Sequence, residues 1–339
     1  MNMRHSLVTG GAGFIGSHLV EALLARGDRV SVIDDESTGS IDNLSAVLHH
    51  PRLSYAKGSV ADEALVRRLA ADADEVYHLA AAVGVQLIAQ SPIHTIETNI
   101  YTTELLLREL GRLTAAGRNV KFFLASSSEV YGKNPKPQWT EDDDLVFGAT
   151  TRPRWSYGAS KAIDEFLALA YWRERRLPVV IGRFFNVVGP RQTGAYGMVL
   201  PRLIDAALAG RPPVVHGDGQ QQRCFAHVSD VVRAVLDLMD CPEAFGGVLN
   251  VGSDQPVNIL ELARRVIAAV NPPLEVEFVG YAQAYGEDFE DCRRRVPDLS
   301  RVRAMIGYEI RYKLDAIIRE LVEWKKGKLA TGHEARDEG

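Results

Sequence analysis

Thr9-Gly10-Gly11-Ala12-Gly13-Phe14-Ile15-Gly16 follows an apolar run, Ser6-Leu7-Val8, and opens a helix-period segment, Phe14 to Arg26, closed by Gly27. Gly10, Gly13 and Gly16 therefore set a G-x-x-G-x-x-G spacing between a predicted strand and a predicted helix. The first glycine permits a tight turn, and the second lets a diphosphate approach the backbone. The third allows close packing of helix on strand, and the helix N-terminus adds amides and partial positive charge. Asp34 ends the next strand-like run, Arg29 to Asp34. A carboxylate at that point accepts both ribose hydroxyls and repels a 2′-phosphate, so the stretch predicts a dinucleotide site for NAD rather than NADP.

Outward from this unit, apolar runs keep alternating with helix-period segments. Helices are predicted over Ala61 to Ala71, Thr95 to Leu113 and Ser156 to Arg175, and strands over Glu75 to Leu79, Val120 to Ala125 and Val179 to Arg183. That alternation implies β-α-β units and an α/β fold, a doubly wound parallel Rossmann sheet covered on both faces. Past Gly189 the chain becomes richer in Pro and Gly, as in Arg211-Pro212-Pro213 and Gly217-Asp218-Gly219. Residues 1–189 are read as the dinucleotide-binding domain, with return segments near 225–255, and 190–330 as a smaller α+β substrate lobe over the carboxyl edge of the sheet. The chain is polar from Lys325 on, so a frayed end and a polar tail over 331–339 are expected.

The composition excludes several classes. The 339 residues are 46% hydrophobic and 24% charged, with a formal net charge of -5, ordinary for a globular protein and unlike a general binder of nucleic acid or membrane surfaces. The three cysteines, Cys224, Cys241 and Cys292, lie far apart without metal-ligand spacing, so neither a disulfide scaffold nor a metal site is expected. No apolar stretch reaches the roughly 20 residues that span a bilayer. No charged-then-apolar leader precedes Ser6, and a cytoplasmic protein is expected.

Tyr157-Gly158-Ala159-Ser160-Lys161 opens the third of these predicted helices, placing Tyr157 and Lys161 one turn apart on the same face. A tyrosine of ordinary pKa is a poor base at neutral pH, and a nearby cation favours the phenolate. Lys161 is read as that cation and as a partner of the nicotinamide ribose. At a strand end in the same half stands Ala125-Ser126-Ser127-Ser128-Glu129-Val130-Tyr131-Gly132, where hydroxyls followed by a carboxylate can surround a sugar oxygen. The bland alternative for the serines is an N-cap or a Ser-rich turn. His78, at the end of Glu75 to Leu79, reads more readily as a hydrogen-bonded core histidine than as a ligand.

Together these motifs resemble the extended short-chain dehydrogenase/reductase superfamily, within it the NAD-dependent nucleotide-sugar epimerases, dehydratases and decarboxylases. The resemblance runs from about Leu7 to Leu321 and includes Thr98-Asn99 and Arg183-Phe184-Phe185-Asn186 leading into Gly189-Pro190-Arg191. It implies catalytic roles for Tyr157, Lys161, Ser127, Ser128 and Glu129. It implies cofactor contacts from Gly10, Gly13, Phe14, Ile15, Gly16, Asp34, Ser59, Val60, Leu79, Ala80, Ala81, Asn99, Ala125 and Phe184. For the sugar nucleotide it implies Val83, Arg154, Asn186, Arg191, Met198, Val199, Leu200, Val215, His216, Arg223 and Arg295. Relatives carry Gly-Asp after the third strand where this chain has Gly58-Ser59, and many carry tyrosine where it has His216. A homodimer through helices Thr95 to Leu113 and Ser156 to Arg175 is expected, since Leu105, Leu106, Phe166 and Leu169 put apolar residues on more than one face.

The shared first step in such relatives converts the sugar C4 alcohol to a ketone, with Ser127 bonding the 4-hydroxyl and Tyr157 taking its proton. Ser128-Glu129, Pro153-Arg154-Trp155-Ser156-Tyr157 and Arg295-Val296-Pro297-Asp298 resemble enzymes that decarboxylate UDP-glucuronate, in which the matching Ser, Glu and final Arg assist loss of the C6 carboxylate. The loop Asn186 to Met198 looks more like epimerase-type relatives. The expected function is accordingly a UDP-glucuronate/UDP-galacturonate 4-epimerase, with a UDP-glucuronate decarboxylase as the alternative and UDP-glucose 4-epimerase behind it. A non-catalytic NAD-binding sensor is the reading from another class, disfavoured because Ser127, Tyr157 and Lys161 are all present.

Overall fold

The computed structural model describes residues 3–82, 91–194, 198–270, 273–285 and 290–330. In chain order the first half comprises β1 (His5–Thr9), α1 (Phe14–Arg26), β2 (Arg29–Asp34), β3 (Leu53–Lys57), α2 (Glu63–Ala70), β4 (Glu75–His78), α3 (Pro92–Ala115), β5 (Lys121–Ser127), α4 (Ser156–Arg175) and β6 (Val179–Phe184). The second half comprises β7 (Val187–Val188), α5 (Val199–Leu208), β8 (Val214–His216), β9 (Gln222–Cys224), β10 (Ala226–His227), α6 (Val228–Asp240), β11 (Gly247–Val251), β12 (Pro256–Asn258) and α7 (Ile259–Val270). It closes with β13 (Glu277–Val279), α8 (Tyr281–Tyr285), β14 (Arg294–Arg295), α9 (Ser300–Ile306) and α10 (Leu314–Ala330).

Seven strands form one parallel sheet in the order β11-β6-β5-β4-β1-β2-β3. Strand order reverses between β1 and β4, whose last paired residues are Thr9 and His78. A crevice opens at the carboxyl ends of strands at such a switch point. Because both faces are covered, most strand residues are buried, and polar ones such as Ser6, Thr9, Ser31 and His78 are hydrogen-bonded inside. On one face Leu19, Val20 and Leu23 of α1 pack with Val231 and Val235 of α6. On the other, Val66 of α2, Leu105, Leu106 and Leu110 of α3 and Ala168 of α4 make a second core. Leu105 and Leu106 thus face the sheet, whereas Phe166 stays 69% exposed.

A third core belongs to the smaller lobe, where α5, α7 and α10 join Leu203, Ile204, Leu262, Val266, Ile318 and Leu321. Here the expected fraying from Lys325 is corrected. Helix α10 runs to Ala330, and Lys325 is buried in an ion pair with Asp205 of α5. A lysine stem lying on apolar surface with its head paired behaves as part of the core, which a polar-tail reading misses. Among the described residues no helix is long and apolar enough to cross a membrane.

Candidate active site

The turn between β1 and α1 is built on close backbone approach. A Cβ on Gly16 would lie 2.0 Å from the Gly10 carbonyl oxygen, and one on Gly10 (φ 70°) would lie 2.8 Å from the Ala80 nitrogen. The concave turn is therefore available only to glycine and leaves the first α1 amides facing the crevice. Asp34 is buried beside it and accepts from the backbone nitrogens of Ala12 (2.9 Å) and Glu36 (2.8 Å). Burial raises the Asp34 pKa above its ordinary value, and those two amides pull against it. Gly10, Gly13, Phe14, Ile15, Gly16, Asp34, Ser59, Val60, Leu79, Ala80, Ala81, Ala125 and Phe184 all line one cavity of about 1420 Å³. This cradle and its carboxylate fit the adenosine diphosphate half of NAD. Replacing Gly16→Ala is expected to cost about 1–3 kcal/mol through overpacking and to leave the purified protein without NAD. Nicotinamide content and thermal unfolding check this.

Beneath that floor, His78 is held by Thr9 Oγ1 (2.8 Å) and Thr103 Oγ1 (3.1 Å), with its pKa pushed down to about 3 by burial and then by Lys161. It is a neutral core histidine. Asn99 receives the Ala82 amide at 2.8 Å and donates to Ser160 Oγ, so it fixes the strand end from below without lining the cavity. Ser59 lines the cavity but its hydroxyl accepts from the Ala61 amide at 3.1 Å, making it a local turn residue.

The end of the cavity where the sequence places the sugar is lined by Ser127, Ser128, Glu129, Arg154, Tyr157, Asn186, Arg223 and Arg295. β5 ends in a 3-10 turn, Ser128–Tyr131, capped by Ser127, whose hydroxyl accepts from the Glu129 nitrogen. The cap and the contact with Tyr157 coexist, so the capping alternative does not displace Ser127 from the site. Gly158 permits this approach, because a Cβ there would lie 2.4 Å from the Glu129 carbonyl oxygen. Asn186 sits at φ 36° and donates to the Cys224 carbonyl oxygen at 2.8 Å.

Glu129 is clamped. Arg154 grips both its oxygens at 2.9 and 2.8 Å, and Arg295 donates to Oε1 at 2.5 Å. Burial opposes the charge, but Arg154 and Arg295 outweigh it and hold the Glu129 pKa at about 2. Asp291, which the sequence reading did not single out, lines the same cavity and takes both its oxygens to Arg223 at 2.9 and 3.0 Å. Three guanidiniums thus face two carboxylates, an excess of one positive charge. The Nε groups of Arg154 and Arg295 make no hydrogen bond among the described residues. Of Arg293-Arg294-Arg295, only Arg295 turns inward, because β14 alternates sides and Arg293 pairs with Asp218 at the surface.

One electrostatic expectation is corrected. Tyr157 is buried and its pKa is raised, first by burial and then by the Glu129 carboxylate, with Ser127 acting in the opposite direction. The Lys161 ammonium donates to Asp164 Oδ2 at 3.0 Å. Lys161 is buried below the cavity wall.

The nucleotide end receives Met198, Val199 and His216, with Arg202, Gln221 and Tyr281 added by the fold. His216 has its pKa lowered to about 4, by burial first and Arg202 second, so it is neutral near pH 7. Three expected substrate contacts are not brought to the cavity wall. Leu200 and Val215 are fully buried in the third core, since helix and strand periodicity turn them away from their lining neighbours Val199 and His216. Arg191 (φ 72°) points to Glu21 of α1 at 2.5 Å, because its backbone turns it away from the crevice. Val83 lies outside the described residues.

The family model described as GDP-mannose 4,6 dehydratase matches residues 7–321. The UDP-N-acetyl-alpha-D-glucosaminuronate decarboxylase of Bacillus cytotoxicus is 36% identical over 95% of this chain and 97% of its own. UDP-glucuronic acid decarboxylase 6 of Arabidopsis thaliana is 34% identical, over 92% and 86% respectively. The crystal structure of UDP-glucuronic acid 4-epimerase from Bacillus cereus, in complex with UDP-glucuronic acid and NAD, superposes with a TM-score of 0.85 at 26% identity, over 95% of this chain and 99% of that one. The chain belongs to the GDP-mannose 4,6-dehydratase family of extended short-chain dehydrogenases, NAD-dependent enzymes that modify nucleotide sugars.

Proposed function

We propose that this enzyme decarboxylates a UDP-linked hexuronate through a 4-keto intermediate. The observation that carries the reading is the clamp at the sugar end, where both arginines nearest Glu129 are already engaged by its carboxylate. A uronate entering this space meets cations that attract it but are half neutralised, beside a fixed anion that stays ionised at working pH. Its carboxylate is bound but poorly stabilised, and release as neutral carbon dioxide relieves that charge. A neutral hexose has no use for such a clamp.

When bound, NAD supplies the hydride acceptor for the sugar C4. Tyr157 takes the O4 proton in its phenolate form, which a nearby Lys161 cation favours, with Ser127 orienting the hydroxyl. The C5–C6 bond of the resulting β-keto acid then breaks, and its electron pair passes into the enolate on C4–O4. Carbon C5 takes a proton, and the ketone returns to an alcohol with the hydride that had left C4 and a proton from Tyr157. Arg223 supplies a charge for the diphosphate, and Met198, Val199 and His216 frame the uracil.

A second reading, 4-epimerisation to UDP-galacturonate, shares every step up to the ketone and is favoured by likeness to the Bacillus cereus epimerase. Sequence alone ranks this reading first, on the Asn186 to Met198 loop. Residues 195–197 of that loop lie outside the described residues and Arg191 turns to Glu21, so the clamp weighs more. The exposed Ile163 and Phe166 on α4 support a homodimer. Incubation with UDP-glucuronate, and separately with its 2-acetamido counterpart, followed by mass spectrometry, tests the choice. A product lighter by one carbon dioxide is expected from at least one of them. An isobaric product from the same substrate overturns the decarboxylase reading in favour of the epimerase.

A further inference from the structure

Lys161 and Asp164 form an ion pair one helical turn apart on α4, at 3.0 Å, with side chains 2% and 0% exposed. The groups around Lys161 come from several elements. His78 of β4 is neutral. Thr103 of α3 stands beside Asp164. Glu129, after β5, is taken by Arg154 and Arg295. Glu165, the next residue on α4, is taken by Arg183 and by the Ser126 hydroxyl at 2.5 Å. Tyr157 is protonated in the free site, since burial and Glu129 both disfavour its phenolate. Among the described residues Asp164 is therefore the carboxylate left to balance Lys161, and Lys161 and Thr103 in turn work against the burial that raises the Asp164 pKa.

We infer that Asp164 is a positioning residue whose carboxylate keeps the buried Lys161 ammonium charged and fixed in place beside Tyr157. Among the described residues no second carboxylate is free to compensate this buried ammonium, and a lone buried cation sheds its proton readily. The inference rests on the C4 oxidation common to both readings above and not on the fate of C6.

The test combines a stability cycle with a pH profile, using the holoenzyme variants Asp164→Asn, Lys161→Met and the double variant. Removing one partner of a buried pair is costly, whereas removing both leaves no uncompensated charge. Asp164→Asn is expected to lower the melting temperature by several degrees, and the double variant to recover at least half of that loss. Additive losses overturn the inference. In Asp164→Asn the alkaline limb of the kcat/KM profile is expected to move down by about one pH unit or more. A purely structural role would instead depress kcat evenly across pH with the limb unmoved, and that result also overturns it. Where Asp164→Asn does not fold, a double variant that folds supports the pairing, and one that fails with it overturns the pairing. Wild-type enzyme inert on both uronates counts against the proposed function, and the stability cycle then decides this inference alone.

Discussion

Tyr157→Phe is expected to lower turnover of the sugar nucleotide by about 10³-fold, the usual scale for losing a positioned general base. The phenol lines the cavity in hydrogen-bond contact with Ser127, on a helix whose start is fixed against the Glu129 backbone by Gly158. Phenylalanine keeps the ring and its packing while removing the proton-transfer oxygen. NAD content and melting temperature should therefore stay near those of the parent enzyme, and the buried ring loses a hydroxyl whose pKa was already raised. Quantifying UDP-hexuronate consumption by chromatography, beside nicotinamide released on denaturation, separates chemistry from binding. A Tyr157→Phe enzyme with more than a tenth of parental turnover would remove the phenol from its assigned role. So would retained biological activity, which would revive the NAD-binding sensor reading.

The sheet and the dinucleotide turn were legible because their signals are local. Strand and helix periods, the glycine spacing and Asp34 each lie within one β-α-β unit, and the bounds of α1 and β2 match those read from the sequence. The sugar end was legible only as a set of residue types. Its decisive contact joins Glu129 to Arg295 across 166 positions, and nothing local says which of three consecutive arginines turns inward. Asp291 was hidden in the same way, as one acid in a charged segment, although an acid four residues before a candidate arginine was a usable hint. Asp164 was passed over because a carboxylate three residues past a helical lysine is commonplace on solvated faces. What distinguishes it is its own complete burial, which follows from α4 packing against both the sheet and α3. Leu200, Val215 and Arg191 went wrong for the converse reason, since a motif locates a segment and the backbone then selects which side chains face the ligand.

Replacing Glu129→Gln is expected to move the reaction between its two outcomes. The isosteric amide leaves Arg154 and Arg295 with their full positive charge, so a bound C6 carboxylate is stabilised as a salt pair and its loss slows by about 10²-fold, the scale of a removed electrostatic group. Oxidation at C4 is retained. The Glu129 anion raises the Tyr157 pKa, so its removal lowers that pKa and shifts the acid limb of the oxidation step to lower pH. The 4-keto sugar nucleotide should then persist, to be trapped with borodeuteride as a uronate about one mass unit heavier than the substrate, carrying deuterium at C4 in both configurations. Stability follows the same group. Its pKa falls from 4.5 to about 2 on folding, so its contribution is complete above about pH 4.5 and is lost as pH falls through about 2. The gap in unfolding free energy between the parent and the Glu129→Gln enzyme, up to about 3 kcal/mol for a broken buried pair, should close over that interval in denaturant titrations. A folded Glu129→Gln enzyme that loses C4 oxidation together with decarboxylation would place Glu129 in the proton-transfer step. The clamp would then say nothing about the fate of C6, and the choice between decarboxylation and epimerisation would fall to the segments around Met198.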